Sequence, residues 1–249
     1  MKADSFYRKE GYLLMKDLLD VHMHTLASGH AYSTPREMVA AGRRKGLQLI
    51  GMSEHAPHMP GTCNEFYFCN FKVIRPEKPG IEIIMGAELN IIDFSGSTDL
   101  SENMLKRLDY AIASLHEPCI EYGTKEQHTA AMIGAMRSPH VKIIGHPDNG
   151  CYPVDYEAVV KAAKEYHVLL EINNSSYDPR SSRIHSRENA LEMLRLCKKY
   201  EVSVIMDSDA HIDLDVGSHE RSLEVIAAAD FPEELVVNTD VAKFKAFLA

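Results

Sequence analysis

Short apolar runs recur along this chain, and most are followed by a stretch in which apolar residues return every three or four positions. The runs fall at residues 18–23, 47–53, 81–88, 110–115, 141–145, 168–173 and 202–207, with a weaker one at 235–237. They are nearly continuous rather than alternating, which predicts strands covered on both faces, as in a parallel sheet. Thr34-Pro35-Arg36-Glu37 has the form of a capping box with proline at the first helical position, and it predicts a helix over 38–45. Thr124-Lys125-Glu126-Gln127 repeats the device before a helix over 130–136, and Ser186 is expected to cap a helix over 187–200. Val159, Ala162, Ala163 and Tyr166 mark a further helix over 155–166. Connections at about 54–80 and 89–108 break the rhythm. Strand–helix alternation of this kind predicts an α/β barrel or a doubly wound sheet, and both carry their chemistry at the C-terminal ends of the strands.

Nearly every predicted strand ends in a polar group. The first closes on His22 and His24, with His30 in the loop beyond, and the second on Ser53-Glu54-His55. Glu88 ends the third, His116 follows the fourth, His146 follows the fifth, and Asp209 and His211 follow the seventh. The sixth ends in Glu171-Ile172-Asn173-Asn174-Ser175-Ser176, without an imidazole. Residues i and i+2 of a strand share a face, so His22 with His24, and Asp209 with His211, are expected to converge. One isolated histidine is more often a hydrogen-bonded structural residue than a ligand, but these seven, with Glu88 and Asp209, share one rim. Nine nitrogen and oxygen donors exceed the needs of one ion, so two or three divalent ions are expected, with Glu88 as the bridging carboxylate. The absence of thiolates from the set favours Zn, Mn or Fe. Among the other six histidines, His58 has a looser claim as an outer residue, and His128, His140, His167, His185 and His219 are expected to be solvated or capping.

Composition narrows the picture. A length of 249 residues without a linker or low-complexity run suits one domain over 1–249. A formal charge of −9 without a Lys/Arg cluster argues against duplex nucleic acid as a partner, though not against a short nucleotide. The first seventeen residues lack the apolar core of a signal peptide, and no apolar stretch is long enough to span a bilayer, so a soluble cytoplasmic protein is expected, without a membrane partner. Five cysteines without Cys-x-x-Cys spacing fit reduced thiols, and Cys63 and Cys69 are read as loop packing.

His-x-His at the first strand, Glu54-His55 at the second, an isolated His116 and a final Asp209-x-His211 resemble the four motifs of the PHP (polymerase and histidinol phosphatase) family. The stretches HAYST, LHEP, EINNSS and DSDAH look most similar to its single-domain bacterial phosphatases of the YcdX type. The resemblance implies a distorted (β/α)7 TIM-like barrel with three metal ions. By carry-over, His22, His24, Glu88 and Asp209 hold the first, Glu88, His116 and His146 the second, and His30, His55 and His211 the third. It further implies hydrolysis of a small phosphate monoester by a metal-activated hydroxide, and a homo-oligomer with a trimer as one form. Glu88, Asp209 and His211 are then the catalytic candidates with Arg183, which, with Arg180 and Arg187, follows the Asn-Asn-Ser-Ser loop and offers a guanidinium to a phosphate. Glu54 and Asp20 are expected to orient imidazoles from behind. Histidinol phosphatase, nucleotide phosphoesterase, a non-catalytic metal-binding regulatory domain and a metal-assisted amidohydrolase stand as alternatives.

Overall fold

Seven parallel strands lie side by side in the order in which the chain makes them: β1 (Leu19–Asp20), β2 (Leu49–His55), β3 (Glu82–Asn90), β4 (Tyr110–Ser114), β5 (Val141–Ile144), β6 (Leu169–Asn173) and β7 (Val204–Asp207). The structure, a computed structural model, describes residues 15–74 and 80–249. Residues 1–14, most of the stretch read for a signal peptide, lie outside the described residues, as do 75–79 of the connection after β2. A doubly wound sheet would interleave its strand order, whereas sequential order leads round a circle. The circle nearly closes: Met23 bridges Ala210 in parallel, and the Val21 N–H donates to Asp207 Oδ1 at 2.7 Å. The fold is a distorted (β/α)7 TIM-like barrel.

The weaker eighth strand expected at 235–237 does not form. That segment runs through two short 3-10 turns and touches the sheet by a single bridge, Val204 with Val236. Its Asn238 does the joining instead. The carboxamide donates to Leu19 O at 3.0 Å and Met206 O at 2.7 Å and accepts from Met206 N at 2.8 Å. One side chain thus takes the place of a peptide unit between the first and last strands and satisfies backbone groups that burial would otherwise leave unpaired.

Helices α1 (Pro35–Lys45), α3 (Lys125–Met136) and α4 (Tyr156–Tyr166) start where the sequence places them, and both capping boxes form, at Thr34 with Glu37 and Thr124 with Gln127. The start of α5 (Ser186–Tyr200) differs. Ser186 is buried inside the helix, and the residue before it, His185, has φ +55° and provides no side-chain cap. Contacts across the fold set this start: Gly150 N donates to Ile184 O at 2.8 Å and Asn189 Nδ2 to Asp148 O at 2.9 Å. The irregular connections contain a 3-10 segment, Glu65–Val73, and a short helix, α2 (Glu102–Leu105). Helices α6 (Glu220–Ala228) and α7 (Val241–Leu248) complete the chain.

The barrel interior is a small core of its own, in which Leu19, Leu49, Ile112, Ile205 and Phe244 of α7 pack around Tyr110. Tyr110 fits because its neighbours on β2 and β3 are glycines. A Cβ at Gly51 would lie 2.5 Å from the Tyr110 hydroxyl oxygen, and one at Gly86 2.6 Å from its ring. That hydroxyl donates to Val21 O at 2.5 Å, so the strand that leads to His22 rests on the floor of the barrel.

Candidate metal centre

Following the inward-facing positions up the strands leads from the apolar floor to a cluster of imidazoles around one carboxylate. On β2 the inward row passes from Leu49 and Gly51 to Ser53 and His55; on β3 it passes from Ile84 and Gly86 to Glu88. β1 breaks this parity. Leu19 and Val21 face the interior, but Met23 packs beneath α1 with Met38 and Ala41, so the chain turns between Val21 and His22 and presents His22 and His24 inward. Asp209 and His211 also meet, though not by strand alternation: Asp209 has φ +54° and lies beyond β7.

Glu88 stands at the centre. Its Oε2 lies 3.3 Å from His22 Nε2, 3.4 Å from His24 Nε2 and 2.8 Å from His55 Nδ1, and its Oε1 lies 3.1 Å from the Nε2 atoms of both His116 and His146. Asp209 Oδ1 faces His22 and His24 Nε2 at 3.7 and 3.4 Å. Three sets of donors lie within 4.8 Å of one another: His22, His24 and Asp209; His55, Glu88 and His116; and His24, His55 and His211. His30 is outermost and exposed, its ring centre 5.0 Å from that of His55 and 4.9 Å from that of His211. Buried atoms without a hydrogen-bond partner coincide with this centre: His22 Nε2, His24 Nε2, His55 Nδ1 and Glu88 Oε2. A buried unpaired nitrogen or carboxylate oxygen is costly in a bare protein, and these converge on shared points, which is the donor set a divalent cation requires.

Hydrogen bonds on the far side of the rings select the tautomer. His22 Nδ1–H donates to Glu171 Oε1 at 2.6 Å. Ser28 gives its hydroxyl proton to Glu54 Oε2 at 2.7 Å, so at 3.2 Å its oxygen accepts from His24 Nδ1–H. Asn90 donates its amide to Asp99 and Ala56, leaving its oxygen to accept from His116 Nδ1–H at 2.8 Å. In all three the Nε2 lone pair is left for the centre.

The surroundings favour neutral rings at His24 and His146 and an ionised carboxylate at Glu88. Burial and the Arg183 guanidinium push His146 down to about 4, and burial with the neighbouring His55 and His211 pushes His24 well below the usual range. Burial works to raise Glu88, but His116, His22 and His55 outweigh it and hold the carboxyl well below its ordinary value. His22 is the exception: burial lowers it, yet Glu171, Glu88 and Asp209 together raise it well above a free imidazole.

Arg183 reaches the centre, donating from Nη2 to Asp209 Oδ2 at 2.8 Å and from Nη1 to Asn173 Oδ1 and Ser176 Oγ at 3.0 and 3.1 Å. Arg180 does not; it pairs with Asp178 and is 90% exposed. Arg187 is exposed near the start of α5. His58 is half exposed and turned to Asp99, away from the cluster. Glu54 acts through Ser28 and Thr25 rather than on a ring directly. Asp20 orients none of the clustered imidazoles. It accepts from Ser208 and Gly217 and faces His219 Nε2 at 3.7 Å. The residues the sequence reading missed are Glu171, Asn90 and Ser28. Glu171 was visible as a carboxylate in an apolar strand, a position that burial makes costly unless it is paired.

His128 and His219, expected to be solvated or capping, are buried and hydrogen-bonded. His128 Nε2 accepts from Gly123 N at 2.8 Å, and His219 Nδ1 donates to Asp17 Oδ2 at 2.6 Å. Burial alone would lower the His219 pKa, but Asp17 and Asp20 outweigh it and raise it well above the ordinary value. A raised folded pKa stabilises the fold fully below the unfolded value, about 6.5, and that contribution is lost as pH rises through the folded value. The difference in Tm between the wild type and His219→Gln should therefore be largest below about pH 6.5 and shrink as the pH rises above it. A difference that grew with pH would contradict the pairing.

The PHP domain family model matches residues 20–186 of this sequence. This chain belongs to the PHP domain family. A probable phosphatase of Clostridium novyi (strain NT) is 45% identical over 234 residues, covering 94% of this chain and 95% of the relative. A probable phosphatase of Caldicellulosiruptor saccharolyticus is 47% identical over 230 residues, covering 92% and 95%. Among solved structures, the histidinol phosphate phosphatase of Lactococcus lactis, complexed with zinc, L-histidinol and phosphate, has the same fold, with a TM-score of 0.58 at 18% identity, covering 87% of this chain and 95% of that one.

Proposed function

We propose that this PHP-domain chain is a metal-dependent phosphatase that hydrolyses a small phosphate monoester. One observation carries the reading: the two oxygens of Glu88 lie within 3.4 Å of three and two imidazoles respectively, with buried donor atoms left unpartnered around them. The names of the relatives, and the zinc and phosphate in the Lactococcus structure, support it. His22, His24, Glu88 and Asp209 would hold one ion, Glu88, His116 and His146 a second, and His30, His55 and His211 a third. Zinc is the first choice, with manganese or iron as alternatives. Divalent ions bound there supply an acidified water and positive charge for the phosphate oxygens.

The chain's own part is to fix the donors and orient the ester. Asp209 joins the two tasks, since one carboxylate oxygen faces His22 and His24 while the other accepts from Arg183. The guanidinium is 18% exposed at the mouth and has more N–H groups than its three bonds use, so it can meet a phosphate oxygen without leaving Asp209. Charge-assisted bonds are worth about 1.5 to 3 kcal/mol each, so Arg183→Ala should lower kcat/KM about 10- to 100-fold, with KM rising. A variant within about twofold of wild type would remove Arg183 from the reaction. Histidinol phosphate and nucleotide monoesters are the finer substrate alternatives. A non-catalytic metal-binding role is less well supported, because every donor position of the resemblance is filled.

The direct test pairs metal content per chain, on protein purified without chelator, with hydrolysis of p-nitrophenyl phosphate. About two to three ions and chelator-sensitive turnover are expected. Stoichiometric metal without turnover on any phosphomonoester would favour the regulatory reading, and absence of metal would overturn the centre.

A further inference from the structure

Glu171 touches both sides of the cluster. Its Oε1 accepts from His22 Nδ1–H at 2.6 Å; its Oε2 accepts from the backbone N–H of His146 at 2.6 Å and from Asn173 Nδ2 at 3.1 Å. Asn173 Nδ2 also lies 3.3 Å from Asp209 Oδ2. The side chain of Glu171 is completely buried, on the inward row of β6 above Leu169. Glu171 is not one of the nine candidate donors, yet it is hydrogen-bonded to two residues that carry donors for different ions, His22 and His146.

His146 itself is held in an unusual backbone state. Its φ is +30°, a region that side-chain-bearing residues rarely adopt, and it directly follows Gly145, which packs where a Cβ would lie 2.2 Å from Ser114 Oγ. A strained φ persists where surrounding bonds fix it, and here the Glu171 carboxylate grips the amide of the strained residue. The same carboxylate sets the tautomer and direction of His22. Moving it therefore displaces a donor of the first ion and a donor of the second together.

We propose that Glu171 is a positioning residue that couples the two ion subsites meeting at Glu88, so that they lose and gain affinity together. The inference rests on the cluster being a metal centre. Its logic is geometric: one rigid group with two short bonds cannot relax at one end without loosening the other, whereas Asn90, which touches His116 alone among the rings, acts on one subsite. Glu171→Gln has the same shape but turns one acceptor into an N–H donor. It must then face either His22 Nδ1–H or the His146 amide with the wrong group.

The test is zinc binding to chelator-stripped full-length protein, followed by competition with a chromophoric chelator, alongside thermal melts of the metal-free chains. The wild type should bind ions at both subsites. Glu171→Gln should weaken both by about 10- to 100-fold, the range for partners of this kind, while Asn90→Ala weakens only one. Nitrogen-detected NMR of the His22 ring reads the tautomer independently of metal and should shift in Glu171→Gln but not in Asn90→Ala. Should Glu171→Gln misfold, Glu171→Asp, which keeps the charge but is too short to span both partners, should show the same paired loss. Paired weakening together with a shifted His22 tautomer would support the proposal. Unchanged affinity in Glu171→Gln, or weakening confined to one subsite, would overturn it while leaving the metal centre intact. Failure of the wild type to bind zinc would overturn the centre and the coupling with it.

Discussion

Glu88→Ala should abolish turnover on phosphomonoesters and lower the bound metal by at least one ion per chain. Among the described residues, no other side chain stands within 3.4 Å of so many donors, with three imidazoles on one oxygen and two on the other. Without the carboxylate, two cations would face each other across a buried space with no negative charge between them, and their repulsion is weakly screened there. Loss of about 4 kcal/mol of charge stabilisation corresponds to about 10³-fold in kcat at 1.36 kcal/mol per decade. Steady-state kinetics and metal analysis on the same preparation check this. The apo fold should survive, because Glu88 lies above the apolar floor and takes no part in its packing. Full turnover by the variant would exclude Glu88 as the bridge.

Gly86→Ala is expected to have the largest effect on stability of any single methyl added inside the barrel. The new carbon would lie 2.6 and 2.7 Å from two Tyr110 ring atoms and 2.8 Å from the Tyr110 carbonyl oxygen. The ring has little room to move: its hydroxyl is tied to Val21 O, and it already packs so close to Gly51 that a Cβ there would lie 2.5 Å from the hydroxyl oxygen. Overpacking of this kind costs about 3 kcal/mol, or a fall of roughly 6 to 12 °C in Tm for a chain of this size. Glu88 is two residues further along the same strand, so a shift of β3 would reach the centre, and activity should fall at temperatures where the protein is still folded. Gly86→Ala with Tyr110→Phe should recover little, because the backbone carbonyl contact remains. A variant melting within about 2 °C of wild type would show that the floor can yield.

Much of this was legible in the chain because two local signals coincide. Apolar runs separated by capping boxes at Thr34 and Thr124 specify strands and helices with little help from distant residues. A parallel barrel then gathers all strand ends at one mouth, so His22, His55, Glu88, His116 and His146 could be assigned to one place from their positions alone. The readings that failed depended on contacts the sequence does not display. Ser186 has the composition of a cap, yet the start of α5 is set by Gly150 and Asn189 from the neighbouring loop. Residues 235–237 have the composition of a strand, but the gap between β1 and β7 is joined by the Asn238 side chain. Asp20 sits beside the histidine motif in sequence and serves His219 instead.

The sequence by itself determined the order of strands and helices, the gathering of donors at their ends and the membership of a family, because periodicity and capping act within a few residues of one another. Tertiary structure alone decided the rest: the change of parity between Val21 and His22, the left-handed turn at Asp209 and the choice of Glu171 and Asn90 as partners of the rings. Glu171 and His22 are 149 residues apart. Which buried carboxylate meets which imidazole depends on closing the barrel, and desolvation makes the pairing obligatory only once water has been excluded.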